Sequence, residues 1–157
     1  MEKKCVIFVC SGNTCRSPMA EYLLKAALQK VNLADNFHVC SAGIMATDHG
    51  RASDLAIRVM EDLNQDISGH ISQRVTQKLL DSATAIFCLA ENHRTFLLSN
   101  FKSIGKKCFL VREFLDIRDR DIFDPFFGHI DDYRRVCADI DSAMESIVKF
   151  LASNNEN

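Results

Sequence analysis

Val6-Ile7-Phe8-Val9-Cys10-Ser11-Gly12-Asn13-Thr14-Cys15-Arg16-Ser17-Pro18 is the stretch that decides the fold of this chain. The apolar run before Cys10 reads as a parallel strand buried on both faces. Beyond Pro18, Met19-Ala20-Glu21-Tyr22-Leu23-Leu24-Lys25-Ala26-Ala27-Leu28 reads as an amphipathic helix. Ser17 suits the N-cap and Pro18 the first helical position. A thiol, Cys10, and a guanidinium, Arg16, therefore stand at the two ends of a tight loop between a strand end and a helix start. The amides of such a loop converge on a common centre, and the helix N-terminus adds positive potential. A phosphate-sized oxyanion is the natural guest, cradled by Ser11, Gly12, Asn13, Thr14, Cys15 and Ser17 and gripped bidentately by Arg16. The same field is expected to lower the pKa of Cys10 and make it a thiolate nucleophile. Gly12 is expected to supply a positive φ and close backbone approach. Asn13 is the non-glycine residue that best tolerates the left-handed region, and Ser17 can donate a hydrogen bond to the thiolate.

Working outward, strands and helices alternate. Phe37–Ser41 reads as a second strand, Ser53–Met60 as a helix capped by Ser53, and Thr76–Leu80 as a short helical turn. Ala85–Leu89 reads as a third, buried strand, Asn92–Asn100 as a helix, and Lys107–Leu110 as a short edge strand. A loop rich in aspartate runs from Arg112 to Gly128. One last helix from about Ile130 to Leu151 carries an apolar stripe of Tyr133, Val136, Cys137, Ile140, Met144, Ile147 and Leu151, which is core spacing. The alternation implies an α/β fold with a parallel sheet flanked by helices, and its ligand site outside the carboxyl ends of the strands. The Cys10 loop leaves the end of the first strand, where that rule puts a site. The expected organisation is a single three-layer domain over residues 1–157, with 152–157 a frayed tail.

Composition narrows the class. A net charge of −2 gives nucleic-acid binding no electrostatic support. No apolar stretch is long enough to cross a membrane, and Met1-Glu2-Lys3-Lys4 leads into only a short apolar run, unlike a secretory leader. Seven cysteines, an odd number at irregular spacing, argue against a disulfide framework and for a reducing cytoplasm. Cys5, Cys40, Cys88, Cys108 and Cys137 read as core thiols. His38, His49, His93 and His129 show no metal-ligand spacing, so no metal and no cofactor are expected.

Displacing an alcohol or phenol from phosphate calls for a general acid, later a base for water. Asp116, Asp119, Asp121 and Asp124 all stand in the right loop, and spacing does not choose among them. Asp124 has a local argument: Pro125 holds it extended, and Phe123, Phe126 and Phe127 can wall it.

The segment Cys10–Pro18 resembles the signature loop C-x-G-N-x-C-R-S-P of the low-molecular-weight protein tyrosine phosphatases, with every fixed position filled. Ser41-Ala42-Gly43 resembles the family's segment after the second strand. Gly69-His70 with Arg74-Val75-Thr76 resembles its mid-chain histidine segment, and Asp124-Pro125 its acid loop. The resemblance covers essentially the whole chain. It implies four parallel strands in the order 2-1-3-4 and a cysteine-dependent phosphatase acting on phosphotyrosine and small aryl phosphates through a phosphocysteine. Cys10, Arg16 and Asp124 would be catalytic. It implies that His70 and Ser41 buttress Asn13, and that a reversible Cys10–Cys15 disulfide protects the nucleophile. The partners it implies are phosphotyrosine proteins met by a monomer, with no nucleic acid and no membrane.

Two departures bear on the substrate slot. Where the family often carries an aromatic residue after Ser-Ala-Gly, the loop here reads Ile44-Met45-Ala46-Thr47-Asp48-His49-Gly50; His49 or Met45 would have to serve as that wall. Where tyrosines often follow the acid, the chain has Phe126 and Phe127, which keep an aromatic wall but cannot be phosphorylated. Two other readings stay open. A thioredoxin-coupled arsenate reductase shares this loop but needs two more relay cysteines, and Cys88 has no partner among residues 89–100. A silent anion-binding module would need neither nucleophile nor acid.

Overall fold

A computed structural model describes residues 2–155 of the chain. The sheet has four parallel strands, β1 (Lys4–Cys10), β2 (Phe37–Gly43), β3 (Ala83–Cys88) and β4 (Cys108–Leu110), in the order β2-β1-β3-β4. That is the order the resemblance implied. Successive β1 side chains face opposite ways, and both faces are covered, so Val6, Ile7, Phe8 and Val9 have no solvent exposure. The helices are α1 (Arg16–Lys30), α2 (Asp54–Glu61), α3 (Gln77–Ser82), α4 (Glu91–Asn100), α5 (Ile130–Asp141) and α6 (Met144–Ser153). Val6, Phe8, Val39 and Phe87 pack with α1, α2, α5 and α6, while Ile7, Val9, Ile86 and Leu110 pack with Leu80 of α3 and Leu97 of α4. None of the described helices is long and apolar enough to cross a membrane.

Two local expectations are met. Ser53 Oγ accepts from Ala56 N–H at 3.3 Å and caps α2. The short helical turn expected over Thr76–Leu80 is α3, with Thr76 as its cap, its Oγ1 accepting from Leu79 N–H at 3.1 Å. Others are corrected. The final helix is two helices. At Ser142 and Ala143 the pattern tightens: Ala143 N–H bonds Ile140 O at 3.1 Å, and the hydroxyls of Ser142 and Ser146 turn back onto the carbonyls of Asp139 and Ala143. The apolar stripe nevertheless stays buried across the break. Helix α6 continues to Ser153, beyond the expected start of the frayed tail, and residues 156–157 lie outside the described residues. Cys5, near the start of β1, and Cys40, opposite Ile7 in the middle of β2, are half-buried, whereas Cys88, Cys108 and Cys137 are core.

Candidate active site

The loop between β1 and α1 is held from outside by its carbonyls. Ile44 N–H bonds Cys10 O, Met45 N–H bonds Ser11 O and Ser53 N–H bonds Thr14 O, at 3.0, 2.9 and 2.8 Å. His70 Nε2–H donates to Asn13 O at 2.8 Å, since a carbonyl can only accept. With the carbonyls turned outward, the amides turn inward. Among the described residues, the N–H groups of Ser11, Gly12, Thr14, Cys15 and Arg16 have no protein acceptor. This is an anion nest at a helix N-terminus. The left-handed residue is Asn13, with φ 57°; Gly12 does not take a positive φ, contrary to expectation. The glycine that close approach demands is Gly43, where a Cβ would sit 2.5 Å from Ser11 O and 2.9 Å from Asn13 N.

Asn13 organises the floor. Its Oδ1 accepts from Gln73 N–H at 3.0 Å, which fixes Nδ2 as the donor end. Nδ2 donates to Ser17 Oγ at 2.8 Å and to Ser41 Oγ at 2.9 Å. Ser41 passes its own proton to Glu21 Oε1 at 2.8 Å, and Ser17 Oγ lies 2.8 Å from Cys10 Sγ, where it donates once the sulfur is a thiolate. Asn13 N–H also reaches Cys10 Sγ, at 3.3 Å. Ser17 is therefore not the N-cap; Cys15 is, α1 begins at Arg16, two residues before the expected Pro18, and the Ser17 hydroxyl turns to the sulfur. Complete burial pushes the Cys10 thiol up, while Ser17, Arg16 and the Asn13 amide pull it down. Burial outweighs them, so the expected depression of the pKa is not met. The donors are nonetheless placed to take the thiolate's charge as it forms.

Arg16 is buried and clamped from the aspartate loop: Nη1 donates to Ile122 O at 2.9 Å, and Nη2 lies 3.5 Å from Asp124 Oδ2. Asp124 Oδ1 accepts from Phe126 N–H at 3.1 Å. The Asp124 side chain is 54% exposed, so the phenylalanines do not enclose it. Of the rival aspartates, Asp121 Oδ1 accepts from Glu91 N–H at the start of α4, Asp119 accepts from Asp121 N–H, and neither lines the cleft. A cleft of about 350 Å³ is lined by Cys10, Ser11, Gly12, Thr14, Cys15, Arg16, Met45, Asp124 and Phe126. Of the expected walls, Phe126 is there, and Met45 stands where His49 was also considered. His49 is exposed at φ 68° with its N–H on Ser72 O, and Phe127 is 96% exposed; neither lines the cleft. Cys15 lies at the cleft, its sulfur 3.3 Å from both Tyr133 Oη and Ser53 Oγ, and all seven cysteines are free thiols.

One residue escaped the sequence. His93, set aside for want of metal-ligand spacing, is fully buried, with Nε2 at 2.9 Å from Ser11 Oγ. Only its place in the first turn of a helix following a strand end, near the rule-predicted site, could have flagged it.

The arrangement sets the Cys10 sulfur at the base of an amide nest, with a guanidinium and a carboxylate lining the same cleft. The model of the family described as low molecular weight phosphotyrosine protein phosphatase matches residues 5–157. The chain belongs to this family. It is 33% identical to a protein-arginine-phosphatase of Bacillus subtilis, over 93% of this chain and 95% of that one. It is 31% identical to the low molecular weight protein-tyrosine-phosphatase Ptp of Acinetobacter johnsonii, over 80% of this chain and 82% of the relative. Among solved structures, a cysteine-to-serine mutant of the YwlE arginine phosphatase with a phosphorylated active-site serine superposes with TM-score 0.88. Its identity is 32%, covering 94% of this chain and 95% of that one. The protein is thus a phosphatase of this family acting on protein substrates, and the nature of its phosphorylated side chain turns on the cleft.

Proposed function

We propose that the chain hydrolyses phosphorylated side chains through a phosphocysteine on Cys10. The observation that carries this is the sulfur beneath the amide nest, with Arg16 and Asp124 3.5 Å apart at its mouth. In the first step Cys10 Sγ, as thiolate, attacks phosphorus and the bond to the leaving group breaks. Asp124 gives its proton to the departing atom, and Arg16 and the loop amides take the charge on the non-bridging oxygens. In the second, Asp124 accepts a proton from water, whose oxygen attacks phosphorus. The S–P bond breaks, and inorganic phosphate and the thiolate are released. The phosphorylated active-site serine in the YwlE mutant supports a covalent intermediate at this position.

Two leaving groups compete, a guanidine and a phenol. The cleft favours phosphoarginine. Its rim offers acceptors for guanidinium N–H groups, the half-exposed Asp124 carboxylate and the Thr14 hydroxyl, and its 44–50 side brings Met45 rather than an aromatic ring. The name of the Bacillus subtilis relative points the same way. Phosphotyrosine, the substrate the sequence resemblance implied, remains the second reading; Phe126 and Met45 give a phenyl ring two apolar contacts, and the Acinetobacter relative carries that activity in its name. Matched peptides bearing phosphoarginine or phosphotyrosine decide between them. A kcat/KM at least about tenfold higher for phosphoarginine is expected, the value of a site's hydrogen bonds to a polar group. The reverse preference installs the phosphotyrosine reading. Turnover of neither, with thiol-coupled arsenate reduction instead, would replace both. Cys88 Sγ does have a sulfur neighbour, Cys108 Sγ at 3.8 Å, though both residues are buried.

A further inference from the structure

His93 and Ser11 form a directed pair that the scheme above does not use. His93 sits in the first turn of α4 with no solvent exposure, 82 residues from its partner. Its ring is oriented by the backbone: Ala90 N–H donates to Nδ1 at 3.1 Å, so Nδ1 carries the lone pair. The proton of the neutral ring is then on Nε2, and Nε2–H donates to Ser11 Oγ at 2.9 Å. A serine hydroxyl has one proton and two lone pairs. With a lone pair taken by His93, the proton of Ser11 is left to point elsewhere, and Ser11 lines the cleft over Cys10.

We propose that His93 is a positioning residue that turns the Ser11 hydroxyl into a dedicated donor to the bound phosphoryl group. The nest then offers an anion a side-chain O–H besides its backbone amides and Arg16. The logic repeats on the opposite side of the loop, where Asn13 fills an acceptor site of Ser17 and leaves the Ser17 proton for the Cys10 thiolate. A neutral imidazole is what the role requires, because protonation at Nδ1 would break the bond from Ala90 and turn the ring. Burial first, and then the charge of Arg16, hold the His93 pKa down to about 4, so the ring is neutral across the working range.

This rests on the loop being the phosphoryl site, and the test keeps the two ideas apart. Affinity for inorganic phosphate is measured by calorimetry, independently of turnover, beside kcat/KM on p-nitrophenyl phosphate. Ser11→Ala should weaken phosphate binding and lower kcat/KM about tenfold, the scale of one hydrogen bond to a charged group. Ser11→Thr, which keeps the hydroxyl, should restore both to within about threefold, inside that same scale. His93→Leu should copy Ser11→Ala, and the double variant should be no worse than either single one, because His93 acts only through Ser11. Phosphate affinity unchanged in Ser11→Ala overturns the proposal, whether or not the protein turns over substrate. So does a His93→Leu loss that persists in full when Ser11 is already alanine. Should His93→Leu fail to fold, the Ser11→Ala and Ser11→Thr pair decides alone. An active parent with unaltered Ser11→Ala rejects this inference only; an inactive parent that binds no phosphate rejects the site.

Discussion

The Cys10–Ser17 loop and the Arg112–Gly128 loop meet at one cleft, yet they are built on opposite plans. In the first, Asn13, Arg16 and Ser17 are buried and bonded, and the positive φ of Asn13 is held by four partners through its side chain and carbonyl. In the second, Phe123, Asp124, Phe126 and Phe127 stand largely in solvent, and the contacts across to the nucleophile loop are Arg16 with Ile122 O and Asp124. Stabilising a fixed oxyanion needs donors that do not move, so a rigid nest suits it. Delivering a proton to leaving groups that come and go tolerates a looser mount. The division predicts that damage to the first loop is severe and spreads through its network, while damage to the second is confined to the proton transfer proposed for Asp124.

Removing the nucleophile is the severest break. Cys10→Ser should lose more than about a thousandfold in steady-state turnover, as removal of a covalent nucleophile does, while still binding inorganic phosphate. Turnover near the parent's in that variant would take Cys10 out of the nucleophile role. Next comes the support behind the rigid loop. A buried histidine held at about 4 in the folded state takes up no proton until well below the ordinary 6.5, whereas the unfolded chain does so at that value. The unfolded state binds more protons between these limits, so stability is complete above about 6.5 and falls with pH toward about 4, by roughly 3 kcal/mol. Urea unfolding of parent and His93→Gln across that window checks it; identical pH slopes would mean that His93 titrates normally in the native protein.

The carboxylate of the exposed loop should cost less. Asp124→Asn is expected to slow phosphorylation of Cys10 by about a hundredfold with leaving groups that need a proton, and less with p-nitrophenolate, which leaves unaided. Single-turnover measurement separates that step. Asp116→Asn, exposed in the same loop, is the control and should match the parent. If leaving-group basicity makes no difference in Asp124→Asn, the acid lies elsewhere. A smaller effect tests the directed hydroxyl at Cys10. Ser17→Ala removes the shortest contact to the sulfur and should raise the thiol pKa further, by about one unit for a hydrogen bond to a charged group. The pH dependence of iodoacetamide alkylation reads this directly, and an unmoved titration would assign the 2.8 Å contact no electrostatic role.

The same contrast explains what the sequence disclosed. Strand β1, the loop and α1 are contiguous, so period and residue types reveal them locally. Ser53 and Thr76 are caps by the same local chemistry. Ser17 looked like a cap for that reason and is not one, because Asn13 and Cys10 compete for its hydroxyl in three dimensions. His93 was unreadable because its meaning depends on Ser11, far away in sequence. The break at Ser142 was hidden by an apolar stripe that runs through it unchanged, since tightening the backbone there leaves the buried face in register. Burial itself, which decides the balance at Cys10, is a property of the assembled layers and not of any motif.

The smallest predicted effect concerns Phe127, the residue on which sequence and structure differ most. As an aromatic next to the acid it was expected to wall the slot. It lies outside the cleft, stacked edge-on against Phe126 with ring centroids 4.3 Å apart, and it holds φ at 67°. A bulky side chain in the left-handed region carries a strain of about 1 kcal/mol that asparagine largely avoids. Phe127→Asn relieves that strain and gives up one exposed ring contact worth about as much at most. Stability should therefore change by less than about 1 kcal/mol in either direction, since the two terms oppose. Activity on small phosphates should stay within about twofold, because no ring leaves the cleft; that factor is less than one hydrogen bond's worth. A tenfold loss on p-nitrophenyl phosphate would bring Phe127 back into the slot by showing that the loop closes over substrate. The exposed loop would then be a mobile part of the site, and the contrast with the rigid nest would become one of timing as well as of construction.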